Sequence, residues 1–255
     1  MPVAHLEYVD RALELVEQAK GQGLELRILG SLAYRLHCPA NIDLFEAMKR
    51  DLTDIDFAAR GDQRKQAREF FTGLGFLIDQ DLLVATEGKR YSFTDPSTGM
   101  LVDIFFDELF FCHPIPLAKR LALDYPTITP TDLLLEKMQI VEINPKDIKD
   151  STILILEHAN ASGSSDAIDA AYIAKMLAAD WGFYYTVTTN LEKLRAHVAK
   201  DDSLRPEQRE LIDGRIQELL DAIENEPKSG KWKLRARVGP RVKWYQEVAE
   251  KSATF

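Results

Sequence analysis

Apolar residues recur at helical spacing from the start of the chain. Leu6, Val9, Leu13 and Val16 predict a helix over 5–20, ended by Gly21 and Gly23. The short run 24–29 closes on Gly30-Ser31 and predicts a buried strand turning into a helix near Ser31. No clear period marks 41–53, but Asp54-Ile55-Asp56-Phe57-Ala58 predicts a second strand. A helix is expected over 62–73, then strands over 82–85, 90–93 and 101–106. The last two are joined by a turn, Asp95-Pro96-Ser97-Thr98-Gly99.

From Thr129 onward the pattern is helical. Thr129-Pro130 starts a helix that continues through Leu133, Leu134, Lys137, Met138 and Ile140. Further helices are expected over 145–158, 166–180, 182–199, 205–226 and 239–251, with Gly163-Ser164-Ser165 as an elbow. The pattern gives an α/β or α+β domain over 1–128 followed by a helical part over 129–255.

Composition narrows the class. The 255 residues are 45% hydrophobic and 29% charged, proportions of a folded domain rather than a disordered, collagenous or disulfide-built chain. No apolar run approaches the ~18 residues that cross a bilayer, and the first residues lack a signal-peptide core. The expectation is a cytoplasmic protein with no membrane partner, its Cys38 and Cys112 reduced thiols outside any CxxC pair. Residues 1–160 hold 26 acidic and 17 basic groups and carry the net charge of −9, whereas 161–255 hold 15 of each. Within 227–245 stand Lys228, Lys231, Lys233, Arg235, Arg237, Arg241 and Lys243 with no acid, interleaved with Trp232, Trp244 and Tyr245. Cations that track phosphate and rings that stack bases make this strip a candidate RNA contact; a solvated basic helix face with core tryptophans is the alternative.

Candidate chemistry lies in the first part. Strand residues i and i+2 share a face, so Asp54 and Asp56 project together while Ile55 and Phe57 enter a core. Asp103 interrupts the apolar run 100–106, where a charge needs a metal, a partner such as an arginine, or a wet strand end. Together the three carboxylates form an oxygen donor set suited to Mg²⁺. Gly30-Ser31, between strand and helix, suits a phosphate on helix N–H groups, although a plain strand-to-helix turn has the same form.

Three segments in this order carry a family resemblance: Leu29-Gly30-Ser31-Leu32-Ala33-Tyr34-Arg35-Leu36, Arg50-Asp51-Leu52-Thr53-Asp54-Ile55-Asp56-Phe57 and Val102-Asp103-Ile104-Phe105. Together with Glu136-Lys137-Met138-Gln139-Ile140 and Lys146-Asp147-Ile148-Lys149-Asp150, the chain resembles polymerase-beta-type nucleotidyltransferases. Within them it is most similar to the AbiEii-like group, many members of which are toxins in bacterial toxin–antitoxin and phage-defence systems. The resemblance covers about 24–158 and does not extend to 160–255, and the stretch from Ser31 to Asp54 is longer than in most members, with an insertion around 38–50.

It implies a mixed sheet flanked by helices, with 129–160 completing the active site, and metal-dependent transfer of a nucleoside monophosphate from an NTP to a hydroxyl acceptor, RNA or protein. On that resemblance Asp54, Asp56 and Asp103 hold Mg²⁺ or Mn²⁺, and Asp103 helps deprotonate the acceptor. Gly30 and Ser31 hold phosphates, and Lys137 neutralises the triphosphate. Asp147 or Asp150 orients that lysine or contacts base or ribose, and an antitoxin protein is an expected partner.

Read without the resemblance, Lys137 is equally a solvated helix lysine, and Asp147 and Asp150 a cap or surface pair. A metal-dependent glycosyltransferase also uses DxD but does not require Gly30-Ser31 or the lysine motif. A DxDx(T/V) phosphatase is disfavoured because Phe57-Ala58 follow the pair. The alternative in a different class is a non-catalytic nucleotidyltransferase-fold module that binds nucleic acid or a partner. His5, His37, His113, His158 and His197 show no HxxxH or HExxH spacing, so no metal role is expected of them.

Overall fold

Residues 3–49 and 52–247 are described by a computed structural model. The first part runs α1 (Val3–Gly21), β1 (Leu26–Leu29), α2 (Gly30–His37), α3 (Ile42–Ala47), β2 (Ile55–Ala59), α4 (Arg64–Gly73), β3 (Leu77–Ile78) and α5 (Gln80–Ala85). It continues through β4 (Arg90–Thr94), β5 (Leu101–Phe106), β6 (Glu108–Phe110) and β7 (Pro114–Pro116). Helices follow: α6 (Pro130–Met138), α7 (Pro145–Glu157), α8 (Ala170–Ala179), α9 (Trp181–Val198), α10 (Pro206–Asn225) and α11 (Gly230–Val238).

The sheet order is β1-β2-β5-β4-β3, with β2 and β5 parallel and the other pairs antiparallel; β6 and β7 form a separate ribbon. β5 is central, and every residue of it after Leu101 is buried, which requires apolar side chains on both faces except where a site interrupts them. Ala12, Leu15, Val16 and Ala19 give α1 the buried stripe that lies on β1. Phe71 of α4 packs among Phe57, Phe70, Phe76 and Phe93, stacked on Phe93 at 4.9 Å between centroids.

The ends of α6 and α7 are set locally. Thr129 caps α6 by accepting from the Asp132 N–H, and Pro130 begins the helix. Asn144 caps α7 by accepting from the N–H groups of Lys146 and Asp147, with Pro145 behind it. α10 packs on α7, α8 and α9, and Arg215 donates to the carbonyls of Ile155 and Leu156 near the C-terminal end of α7.

Three expectations are corrected. Residues 82–85 are helical, not a strand: Asp79 accepts from the Leu82 N–H at 2.9 Å and caps α5, leaving Val84 exposed. α8 starts at Ala170 rather than 166, because 161–167 form bends and a turn closed by a single bridge of Asn160 with Ile168, in which Ile168 donates to Ala159 and Ala161 donates to Ile168, and Asp169 then caps the helix. Over 239–247 there is only a 3₁₀ turn, Gly239–Arg241, and the helix lies earlier, capped by Ser229 as α11; 248–251 lie outside the described residues, as do Arg50 and Asp51. Among the described residues, no helix is long and apolar enough to cross a membrane. Cys38 and Cys112 are free and buried.

Candidate active site

Strand register builds the site. Leu29, Asp56, Asp103 and Ser92 are paired across β1, β2, β5 and β4 and form one row on one face of the sheet. Asp54, two residues before Asp56, joins them at the wall of a cleft of about 810 Å³. α6 contributes Glu136 and Lys137, and the first turn of α7 contributes Asp147. Seven carboxylates line this cleft (Asp54, Asp56, Asp103, Glu136, Glu142, Asp147 and Glu247) against two cations, Arg90 and Lys137. Such a surplus attracts cations and admits a triphosphate only in their company.

The carboxylates are not equivalent. Asp56 keeps some exposure at the cleft but is crowded, and its pKa is raised well above the usual range, chiefly by burial and then by Asp54, Asp103 and Glu136. Asp103 is buried, with one oxygen held by the Arg90 guanidinium, which itself lies over the Phe105 ring at 4.9 Å. Its other oxygen, Oδ1, is buried with no hydrogen-bond partner among the described residues. An orphaned buried acceptor beside a crowded carboxylate is a donor arrangement that a hard cation could satisfy, and the all-oxygen set of Asp54, Asp56 and Asp103 fits Mg²⁺ or Mn²⁺.

Gly30 adopts φ +67°, and a Cβ there would lie 2.4 Å from Asp56 Oδ2, so both backbone and space require glycine. Its N–H donates to Glu136 at 3.1 Å. Glu136 also accepts from Lys137 Nζ at 2.7 Å, and Asp147 lies 3.6 Å from the same ammonium, which stands 5.7 Å from the Tyr34 ring centroid. Burial works against this charge, but Glu136, Asp147 and Asp150 outweigh it and raise the Lys137 pKa, so the lysine stays protonated.

Of the residues expected at the site, Asp54, Asp56, Asp103, Lys137 and Asp147 line one cleft. Gly30 and Ser31 are buried at the start of α2 beside it. Asp150 is fully buried one turn beyond Asp147, within electrostatic reach of Lys137 and Tyr34. The extra stretch after Ser31 forms α3 against α7, where Lys149 donates to the Met48 carbonyl. Two residues were given no role from sequence. Glu136 was visible only as a neighbour of Lys137, and Arg90 is the arginine partner that the lone Asp103 allowed.

The strip 227–245 is not one free face. Trp232 Nε1 donates to the Leu177 carbonyl, Trp244 Nε1 donates to Thr186, and Lys228 donates to the last carbonyls of α10. Arg235 donates to the Gly239 and Val242 carbonyls and covers the Trp181 ring at 4.4 Å. The strip borders a second cavity of about 550 Å³, which shares Cys112 and Tyr245 with the first and has Lys231 and Lys243 in its wall. The chain matches no protein-family model, and no curated protein matches it.

Proposed function

We propose that the first cleft carries metal-dependent nucleotidyl transfer from an NTP to a hydroxyl acceptor. The observation that carries this reading is the side-by-side placement of Asp56 and Asp103 on parallel strands, with Asp54 beside them and the Lys137 ammonium in the same wall. A bound Mg²⁺ or Mn²⁺ would be held by Asp54, Asp56 and Asp103 and would supply charge neutralisation for the transferring phosphoryl group.

The chain's own residues do the rest. Lys137, fixed by Glu136 and Asp147, balances charge on the departing pyrophosphate. Asp103, whose Oδ1 has no hydrogen-bond partner among the described residues, accepts the hydroxyl proton, while Arg90 fixes the same carboxylate through its other oxygen. The acceptor oxygen bonds to the α-phosphorus as the bond to pyrophosphate breaks. Phosphate binding on the Gly30 N–H displaces Glu136, whose carboxylate stays paired with Lys137. The acceptor enters through the adjoining cavity at Cys112 and Tyr245, where Lys231 and Lys243 favour a polyanion such as RNA. Arg235, in the same wall, acts structurally through its bonds to the Gly239 and Val242 carbonyls.

The second reading, a non-catalytic binding module, draws support from two self-satisfied contacts: Glu136 on the Gly30 amide and Arg90 on Asp103. The separating experiment incubates the protein with Mg²⁺, each α-labelled NTP in turn and total RNA. Label transfer with pyrophosphate release supports the enzyme. Metal-independent binding of RNA without transfer supports the module.

A further inference from the structure

The C-terminal ends of α2 and α7 meet at two histidines that the cleft does not use. His37 ends α2 and His158 follows α7 directly, with ring centroids 5.5 Å apart at 76°. Asp166, in the loop before α8, places a carboxylate oxygen 3.5 Å from His158 Nδ1. One ring nitrogen of each histidine and one Asp166 carboxylate oxygen lie within 4.8 Å of one another.

The hydrogen bonds around His158 do not close for a neutral ring. Nε2 lies 2.9 Å from the His37 carbonyl oxygen, and Nδ1 lies 3.1 Å from the Asp166 carbonyl oxygen. A neutral imidazole offers one N–H, so one of these two oxygens faces a lone pair of the buried His158 ring. A cation on the Nδ1 side removes the conflict and leaves Nε2–H donating to the His37 carbonyl. That arrangement, one nitrogen on the metal and the other held by a backbone carbonyl, is how ligating histidines are oriented. His37 is oriented in a similar way, with Nε2 3.0 Å from the Ile128 carbonyl and 3.3 Å from Asp124.

We infer that His37, His158 and Asp166 form a binding site for a borderline transition-metal cation of the Zn²⁺ type, distinct from the carboxylate cleft. Two imidazole nitrogens and one carboxylate oxygen suit Zn²⁺ and Co²⁺ rather than Mg²⁺, which prefers oxygen alone. The Asp166 side chain is 86% exposed, so the ion enters from solvent and the exposed carboxylate closes over it. The site joins the C-terminal ends of two helices whose opposite ends carry Gly30 and Asp147.

The test titrates Co²⁺ into the full-length chain, stripped with chelator and kept in excess Mg²⁺, following the visible d–d bands. The expected result is one Co²⁺ per chain with the absorption of a four-coordinate, histidine-ligated ion. Asp166→Ala, at an exposed position that leaves the fold intact, should weaken binding by tenfold or more. His158→Gln should abolish the bands, while Asp56→Asn should leave them unchanged. Absence of stoichiometric Co²⁺ binding would overturn the site. So would bands that survive Asp166→Ala and disappear with Asp56→Asn, or an NMR signature of a doubly protonated His158 that Co²⁺ leaves unmoved. No readout depends on nucleotidyl transfer, so the outcome is independent of that proposal.

Discussion

Replacing Asp56 with asparagine should stabilise the metal-free protein. Asp56 and Asp103 are paired on neighbouring parallel strands, so their carboxylates stand ~5 Å apart. Two unit charges at that distance repel by about 3 kcal/mol at an effective dielectric of about 20. Arg90 on Asp103, Lys137 nearby and the partial exposure of Asp56 offset part of this. The net gain expected for Asp56→Asn at a pH where both carboxylates are ionised is on the order of 1–3 kcal/mol, or roughly 2–10 °C in Tm for a chain of this size.

The sign follows from proton linkage. The folded Asp56 pKa is raised above its usual 3.8, so between that value and its folded value the folded state binds more protons than the unfolded state. Its contribution to stability therefore falls as pH rises through this window, and its cost is complete only above the folded pKa. The assay is thermal unfolding in chelator across pH, then with Mg²⁺. Wild type should gain about 2.7 kcal/mol at a Mg²⁺ concentration of 100 Kd, and Asp56→Asn should gain little. A variant less stable than wild type in chelator at a pH where both carboxylates are ionised would show that Asp56 is a paired structural anion, and the crowding argument would fail.

Gly30→Ala should cost about 1–2 kcal/mol from its left-handed backbone alone. By driving Cβ toward Asp56 Oδ2 it should also remove Mg²⁺ protection in the same melts; unaltered protection would refute the close approach. Lys137→Met leaves Glu136 and Asp147 without their cation and should lose about 3 kcal/mol, with NTP binding by calorimetry falling alongside; unchanged NTP affinity would remove Lys137 from the site. Burial lowers the His113 pKa to about 4 from 6.5, so the unfolded state binds more protons and stability falls as pH drops from 6.5 toward 4. That loss amounts to about 3 kcal/mol, and His113→Phe should flatten the stability-versus-pH curve in this window. An equal slope in the variant would place the titration elsewhere.

Strand period places Asp56 and Asp103 on the face of their strands opposite the core, whereas Asp54 precedes β2 and reaches the same cleft from the loop before it. What lies opposite depends on strand order. Arg90 reaches Asp103 across the β4–β5 hairpin, whose turn is legible at 95–99, whereas the parallel pairing of β2 with β5 that brings Asp56 beside Asp103 is a long-range choice that no local pattern encodes. Residues 82–85 misread as a strand because four apolar or small residues have no period, and the Asp79 cap that decides for helix precedes them. α11 was missed for the opposite reason: its charges show no apolar stripe, and it is fixed by the Ser229 cap and the Trp232 bond to Leu177. The His37–His158 cluster shows no motif spacing because the two residues are 121 positions apart and meet only when α2 and α7 are packed.

The central claim is tested most directly by label transfer. Wild type and the Asp54→Ala/Asp56→Ala double variant, both confirmed folded by circular dichroism, are incubated with Mg²⁺, each α-labelled NTP and total RNA. The expected result is labelled acceptor and pyrophosphate with wild type alone, abolished by chelator. Transfer retained in the double variant would contradict the assignment of these carboxylates. Neither transfer nor metal-dependent NTP binding by wild type would contradict the enzyme itself and leave the binding module.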